Sequence, residues 1–445
     1  MVAKPPAALG EGDFRLAELR CRLPSDQLLL VQLDGKAQMS LQRLRRILDS
    51  TFTVLVDSSA ATIQRVQKKI DARAGAFQAK NKTAPPTKTP TIVASLAGFP
   101  SVTIRPIDFL RKIGDLTTPS DVNMASLSAS WATRRYFWAI AEPRGRTRRF
   151  RLSDDARAMD FHQKTLLSDE FGIGFGGLLM ERLFNAGLAI DVSAALQNPG
   201  QFQNVVQSGS AQPDYLMWDP APNTPYYVVE CKGCQTSRDA TMGQIRRGLE
   251  QVPSLILRAG GRPVVTLVVA SHMQASKTTV YIIDPPDTPP DDTDPGERQP
   301  PNERIRKNTW RINNPEEFAR TAQSTNAAKL LNWVGQFESA SRLLARIRRT
   351  ERRTEARPDL PLTRRRVADL YYYGRRLALF PELGYPRLRI FLGIHEDVLA
   401  RARTSVGEAG HPTDIPLANT ILPHTTEDPN VSVGKDGTCL LVEGV

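Results

Sequence analysis

Three side chains within nineteen positions could carry acid–base or metal chemistry: Asp214, Glu230 and Lys232. Asp214 opens the strand-like run PDYLMWD, and Glu230 and Lys232 close the run YYVVECK. Side chains alternate along a strand, so Glu230 and Lys232 share one face while Cys231 points to the other, into the core. If the two runs pair as antiparallel neighbours across PAPNTP, register brings Asp214 close to Glu230. Two carboxylates and the backbone carbonyl of Cys231 are hard oxygen ligands suited to Mg²⁺, with Mn²⁺ as a substitute, and leave positions for water and phosphate. An ion held there polarises a phosphoryl oxygen and lowers the pKa of a bound water. Lys232 would orient or deprotonate the attacking water and offset charge in the transition state. The plain alternative is a surface strand that ends in a Glu-x-Lys ion pair.

The flanking elements must hold these residues in place. FGIGFGGLLMERLFNAG has apolar residues at helical spacing and a stop at Gly187. LAIDVSAAL, PDYLMWD and YYVVECKG follow as strands, DATMGQIRRGLEQVPSLILRAG as a helix, and RPVVTLVVASHM and TTVYIIDPP as further strands. Helix, three strands, helix, strand is the order of a small α/β sandwich around a mixed sheet. Upstream, LQRLRRILDSTFTVLVD reads as a short helix and a strand ending at Asp57, and a helical run spans Ser58 to Ala79. WATRRYFWAIAEPRGRTRRFRL reads as two strands around EPRGR, with its aromatics either in the core or free to stack on bases. The proline-rich stretches 83–90 and 284–301 read as breaks. Beyond them come helices from NPEEFA to the basic block Arg346–Arg357, a further helix LTRRRVADLYYYGRRLALF, a strand RLRIFLGI, and a hairpin on Asp436-Gly437. The arginine blocks serve either as a phosphate-binding face or as solvated helix surface.

Pro213-Asp214, a short strand–turn–strand, then Glu230-Cys231-Lys232 resembles the signature of the PD-(D/E)xK nuclease superfamily, and the flanking helices and strand match as well. The resemblance covers roughly residues 168–283. It implies a central restriction-endonuclease-like domain, Mg²⁺-dependent hydrolysis of DNA, and endonuclease action in defence against foreign DNA or in repair. RNA-directed or structure-specific cleavage, and a non-catalytic binding or assembly role, stay open. Gln244, in the helix after Lys232, matches a glutamine found in several branches. The family often adds an acid on the first helix. Glu181 is the candidate here, with Glu170 as the alternative, although the usual acid sits earlier relative to the helix-ending glycine. The expected fold class is α/β, with an α+β N-terminal region (1–150), the nuclease-like domain (151–290) and a mainly helical basic C-terminal region (302–445).

The bulk composition suits this reading. In 445 residues, 59 Lys+Arg against 47 Asp+Glu give a net charge of +12, which favours a polyanionic partner such as nucleic acid. No apolar run approaches the ~20 residues of a membrane span, and the N-terminus lacks a signal-peptide core, so a cytoplasmic protein without membrane partners is expected. A homo-oligomer or protein partner through the flanking regions is left open. Four cysteines form neither a disulfide framework nor a zinc site; Cys231-x-x-Cys234 lacks the helix N-terminus that thioredoxin-like chemistry needs. The five histidines show no metalloprotease spacing, and GIGFGG lacks the strand and lysine of a phosphate loop.

Overall fold

The structure, a computed structural model, describes residues 41–82, 87–96, 101–118, 134–144, 148–196, 202–204, 212–219, 221, 224–252, 255–256, 264–285, 310–312, 315–347, 357–379, 388–407 and 427–444. Most of the stretch 284–301, residues 83–86, Trp131, the tip of EPRGR and most of the Arg346–Arg357 block lie outside them.

α1 (Leu41–Leu48) leads into β1 (Phe52–Asp57), whose residues alternate between buried and half-buried. Ser59 caps α2 (Ala60–Gln78) by accepting a hydrogen bond from the Thr62 amide. β2 (Thr91–Ile92) and β3 (Ser101–Ile104) precede α3 (Pro106–Leu116), which starts on a proline and is buried throughout. α4 (Asp154–Ala158) comes before the long α5 (Phe161–Leu183), capped by Asp160. β4 (Leu188–Asp191), α6 (Val192–Leu196), β5 (Phe202–Asn204), β6 (Tyr215–Trp218) and β7 (Tyr226–Cys234) follow. Then come α7 (Arg238–Gln251), β8 (Leu255–Ile256), β9 (Val264–Met273) and β10 (Thr278–Asp284).

The molecule is mixed α/β. Its main sheet runs β3-β1-β10-β9-β7-β6-β4, with β2 beside β10. β7 pairs with β9 in parallel and with β6 antiparallel. Covered on both faces, β7 and β9 read as near-continuous apolar runs rather than alternating ones. Val66 of α2 and Met242, Ile245 and Leu249 of α7 pack over Val268, Ala270, Tyr281 and Ile283 on one face. α5 covers the other, backed by α3 through edge-to-face contacts among Phe109, Phe150, Phe171 and Phe175. Since β1 pairs with β10, the N-terminal strands belong to this sheet rather than to a separate module ending near residue 150. Residues 40–445 make one compact unit.

Two expectations are corrected. The described part of WATRRYFWAI, residues 134–140, does not open a strand pair. Residues 134–139 form helical turns, and a lone bridge joins Ile140 to Leu152. Tyr136, Phe137, Ile140 and Phe150 are all buried, so consecutive aromatics plug the core where alternation would expose half of them. The described residues of the C-terminal region are not mainly helical. After β11 (Trp310–Ile312), α8 (Pro315–Trp333) and α9 (Phe337–Ile347), the segment TRRRVADLYYYGRRLA forms the hairpin β12 (Thr363–Val367) and β13 (Leu370–Ala378). Ala368 and Asp369 turn it at positive φ (48° and 66°), as a tight two-residue hairpin requires. β14 (Arg389–His395), α10 (Glu396–Gly407), β15 (Val431–Val433) and β16 (Thr438–Glu443) complete a five-stranded sheet ordered β12-β13-β14-β16-β15. Its last hairpin turns on Gly437, as read from Asp436-Gly437. No described helix is long and apolar enough to cross a membrane.

Candidate active site

β6 and β7 pair with Tyr215 opposite Val229, so one step further Asp214 faces Glu230. Asp214 sits just ahead of β6, and its Oδ2 accepts the Cys231 amide hydrogen at 2.7 Å. That bond replaces the ladder partner Cys231 loses where β6 ends. A strand residue's carbonyl points to the same side as its N–H, so the Cys231 carbonyl also faces the Asp214 side. Glu230 is 0% exposed and projects under α7, where a Cβ at Gly248 would lie 3.1 Å from its Cγ. Cys231 projects the opposite way, against Gly176 of α5. Lys232, its side chain 19% exposed, forms an ion pair with Glu230 Oε1. The trio therefore converges at the end of β7, where Asp214 is half-buried and Lys232 partly exposed.

Burial pushes the Glu230 carboxyl up to about 8, Asp214 adds repulsion, and Lys232 offsets only part of this. Burial also raises Asp214, against the Lys232 charge and the Cys231 amide, which lower it. Burial disfavours the Lys232 ammonium, yet Glu230 and Asp214 outweigh it and the pKa is raised. Asp191, at the end of β4, is pushed up to about 6 by burial, with Lys329 opposing and Asp214 adding to the rise.

Close helix packing fixes this corner. A Cβ at Gly172 would lie 2.6 Å from the Lys232 carbonyl carbon, and one at Gly233 would collide with the Ser168 carbonyl. Only hydrogens at both positions let α5 rest on the β7 backbone. The glycines of GIGFGG thus serve helix–sheet packing, and Gly174 and Gly177 do the same against α3.

Glu181 does not belong to this site. Its two oxygens take Arg111 Nη2 at 3.0 Å each and Lys112 Nζ at 2.7 Å. Despite burial, these cations hold its carboxyl down at about 2. The pair belongs to a buried network with Asp115, Lys329 and Asp436 that ties α3 and α5 to α8 and the last hairpin. The alternative, Glu170, faces Tyr136. The acid that sequence reasoning missed is Asp169, exposed on α5, whose charge acts on both Lys232 and Asp214. It stands one turn before Gly172 on the face that meets β7, and the Gly172–Gly176 spacing is the sequence signal for that face. Gln244 lies half-buried on α7, one turn before Gly248, and among the described residues makes no hydrogen bond to the trio.

Among the described residues, no group of three or more His, Cys, Asp or Glu side chains is disposed to hold a metal ion. A Mg²⁺ site does not require three, because this ion keeps several waters and takes one or two carboxylates plus phosphate. Glu230 Oε1 meets the Lys232 ammonium, and among the described residues Glu230 Oε2 has no hydrogen-bond donor. Burial keeps a proton on Glu230 near neutral pH while no metal is bound, and a divalent cation held by Asp214, Glu230 and the Cys231 carbonyl would take that proton's place. Comparison of the chain with protein-family models, curated proteins and solved structures finds no match.

Proposed function

We propose that this protein is a Mg²⁺-dependent deoxyribonuclease, acting as an endonuclease, with a central restriction-endonuclease-like domain of the PD-(D/E)xK type. The order α5, β4, β6, β7, α7, β9, with β7 antiparallel to β6 and parallel to β9, supports the fold assignment. The observation that carries the function is the placement of Asp214 opposite Glu230 in register, with Lys232 on the same face beside them.

A divalent cation held by Asp214, Glu230 and the Cys231 carbonyl would polarise the scissile phosphoryl group and offset the charge that builds on it. Asp214 is fixed for this role by the Cys231 amide, which occupies one oxygen and leaves the other free to bind. Glu230 is held rigid by complete burial under α7. While no metal is bound the neighbouring acids raise Lys232, and its ammonium would act as a donor that orients the attacking water and neutralises the phosphorane. The surplus of basic residues supplies attraction to the polyanion.

The test is nicking and linearisation of supercoiled plasmid in Mg²⁺, Mn²⁺ or EDTA, alongside a labelled RNA. Wild type should cut DNA only with a metal, and Asp214→Ala and Lys232→Ala should each lower the rate by at least ~10²-fold. Absence of DNA cleavage under every metal, or cleavage indifferent to both substitutions, would overturn the assignment.

A further inference from the structure

β12 and β13 together carry five arginines and three tyrosines, and the register sorts them by face. Arg365 and Arg376 share a face on which Glu443 pairs with both, at 2.8 and 3.0 Å. Arg364 opposes Tyr373 and Arg366 opposes Tyr371, so these four share the other face, and Arg375 continues the tyrosine row. There the counter-ions are weak. Glu396 lies 3.5 Å from Arg364, Asp369 lies 2.8 Å from Arg366, and both acids are exposed. Exposed pairs of this kind contribute little and yield readily to a phosphate. The Arg364 guanidinium lies 3.6 Å over the Tyr371 ring and 5.9 Å from the Tyr373 ring. Stacking on Tyr371 thus holds Arg364 flat beside Tyr373.

Arg375 supplies an independent sign. It is 9% exposed, its guanidinium lies 5.9 Å from the Phe337 ring, and among the described residues its Nε and Nη2 have no hydrogen-bond partner and no acid offsets its burial. A buried guanidinium without a carboxylate is costly and calls for an anion. Among the described residues β12 is the outermost strand of its sheet, and on this face Arg364 and Arg366 are exposed while Tyr371 and Tyr373 are half-buried.

We propose that this face of the β12–β13 hairpin binds single-stranded DNA, with a base stacked on Tyr373, phosphates on Arg364 and Arg366, and Arg375 adding positive potential beneath. Aromatic platforms beside arginines hold single strands because every base offers a π-face, whereas a duplex has its base faces already stacked. Tyr371 and Tyr373 stand about 7 Å apart along the strand, so Arg364 and the open ring meet neighbouring parts of one extended nucleotide. The choice of DNA over RNA rests on the nuclease reading; the single-strand assignment does not.

The experiment is fluorescence anisotropy of a 5′-fluorescein-labelled thymidine 15-mer with the full-length protein in EDTA, which keeps binding apart from cleavage. Tyr373→Ile, which preserves strand propensity, should weaken binding roughly 5- to 150-fold, and Tyr373→Phe should bind within about twofold of wild type. Arg364→Ala/Arg366→Ala should reduce the slope of log K against log salt by about 1.4, at ~0.7 per phosphate contact. Both arginines are exposed, so this variant carries the test if Tyr373→Ile fails to fold. Binding unchanged in both variants, or a duplex bound as tightly through Tyr373, would overturn the proposal. A uridine 15-mer bound more tightly than the thymidine one would overturn the choice of DNA. Loss of plasmid cleavage with this binding intact would sink only the nuclease reading.

Discussion

Replacing Glu181 by Gln separates a structural role from a catalytic one. The buried network holds three cations, Arg111, Lys112 and Lys329, against three carboxylates, Glu181, Asp115 and Asp436. Glu181→Gln leaves one positive charge uncompensated in the interior, which costs about 3–5 kcal/mol. The lower end applies because Arg111 keeps Asp436 at 3.7 Å and the hydroxyls of Ser432 and Thr438 at 2.9 Å each. Lys112 also keeps Asp115 at 3.2 Å. At roughly 2 °C per kcal/mol for a unit this large, the melting midpoint should fall by about 6 °C. The loss should be insensitive to salt, since buried pairs are poorly screened. Adding Lys112→Met restores neutrality and should recover much of the drop. Acid supplies a second readout. The Glu181 carboxyl is held at about 2, so its contribution is full above its ordinary pKa near ~4.5 and fades as pH falls towards 2. The variant should lose less stability than wild type across that window. If Glu181→Gln melts within about 2 °C of wild type while DNA cleavage collapses, the carboxylate serves chemistry and the network argument is wrong.

Three further outcomes follow from the site and its scaffold. Glu230 is pushed up to about 8 by burial, so in EDTA the folded protein holds a proton there that the unfolded chain releases above ~4.5; stability should decline as pH rises from about 5 to 8. Glu230→Gln should flatten that decline in a melting series. Gly172→Ala should destabilise by at least ~1–3 kcal/mol, because its Cβ meets only backbone atoms of Lys232 and Gly233. Gly75→Ala, with nothing within 4 Å and a place inside α2, should stabilise by about 0.4–1 kcal/mol in the same denaturation assay.

The trio at the end of β7 was legible because it is local: one antiparallel pairing, set by two apolar runs, brings Asp214 to Glu230, and alternation alone places Lys232 beside it. The capped α2 and the Asp436-Gly437 hairpin were legible for the same reason. The β12–β13 hairpin was not. Three arginines in a row erase the period-two signal of an edge strand, and Ala368-Asp369 lacks the glycine that usually announces such a turn. Glu181 was misassigned because its partners are remote in sequence. Arg111 lies 70 residues away, and the Ser432 that shares Arg111 lies 321 residues from it. Asp169 was passed over for Glu170 and Glu181 because the face of α5 that meets β7 is set by Gly172 and Gly176, which look like a loop motif in the sequence.

The parallel pairing of β1 with β10 has a consequence for biogenesis. One edge of β1 is paired only once a strand that begins at Thr278 is in place, roughly 220 residues downstream. At about 5–20 residues per second on the ribosome, that interval lasts on the order of ten to forty seconds. During it the nascent β1 has its β3 partner on one edge but an open edge on the other. Heterologous production should therefore respond to holdase chaperones and slow, cool expression more than to any change at the end of β7.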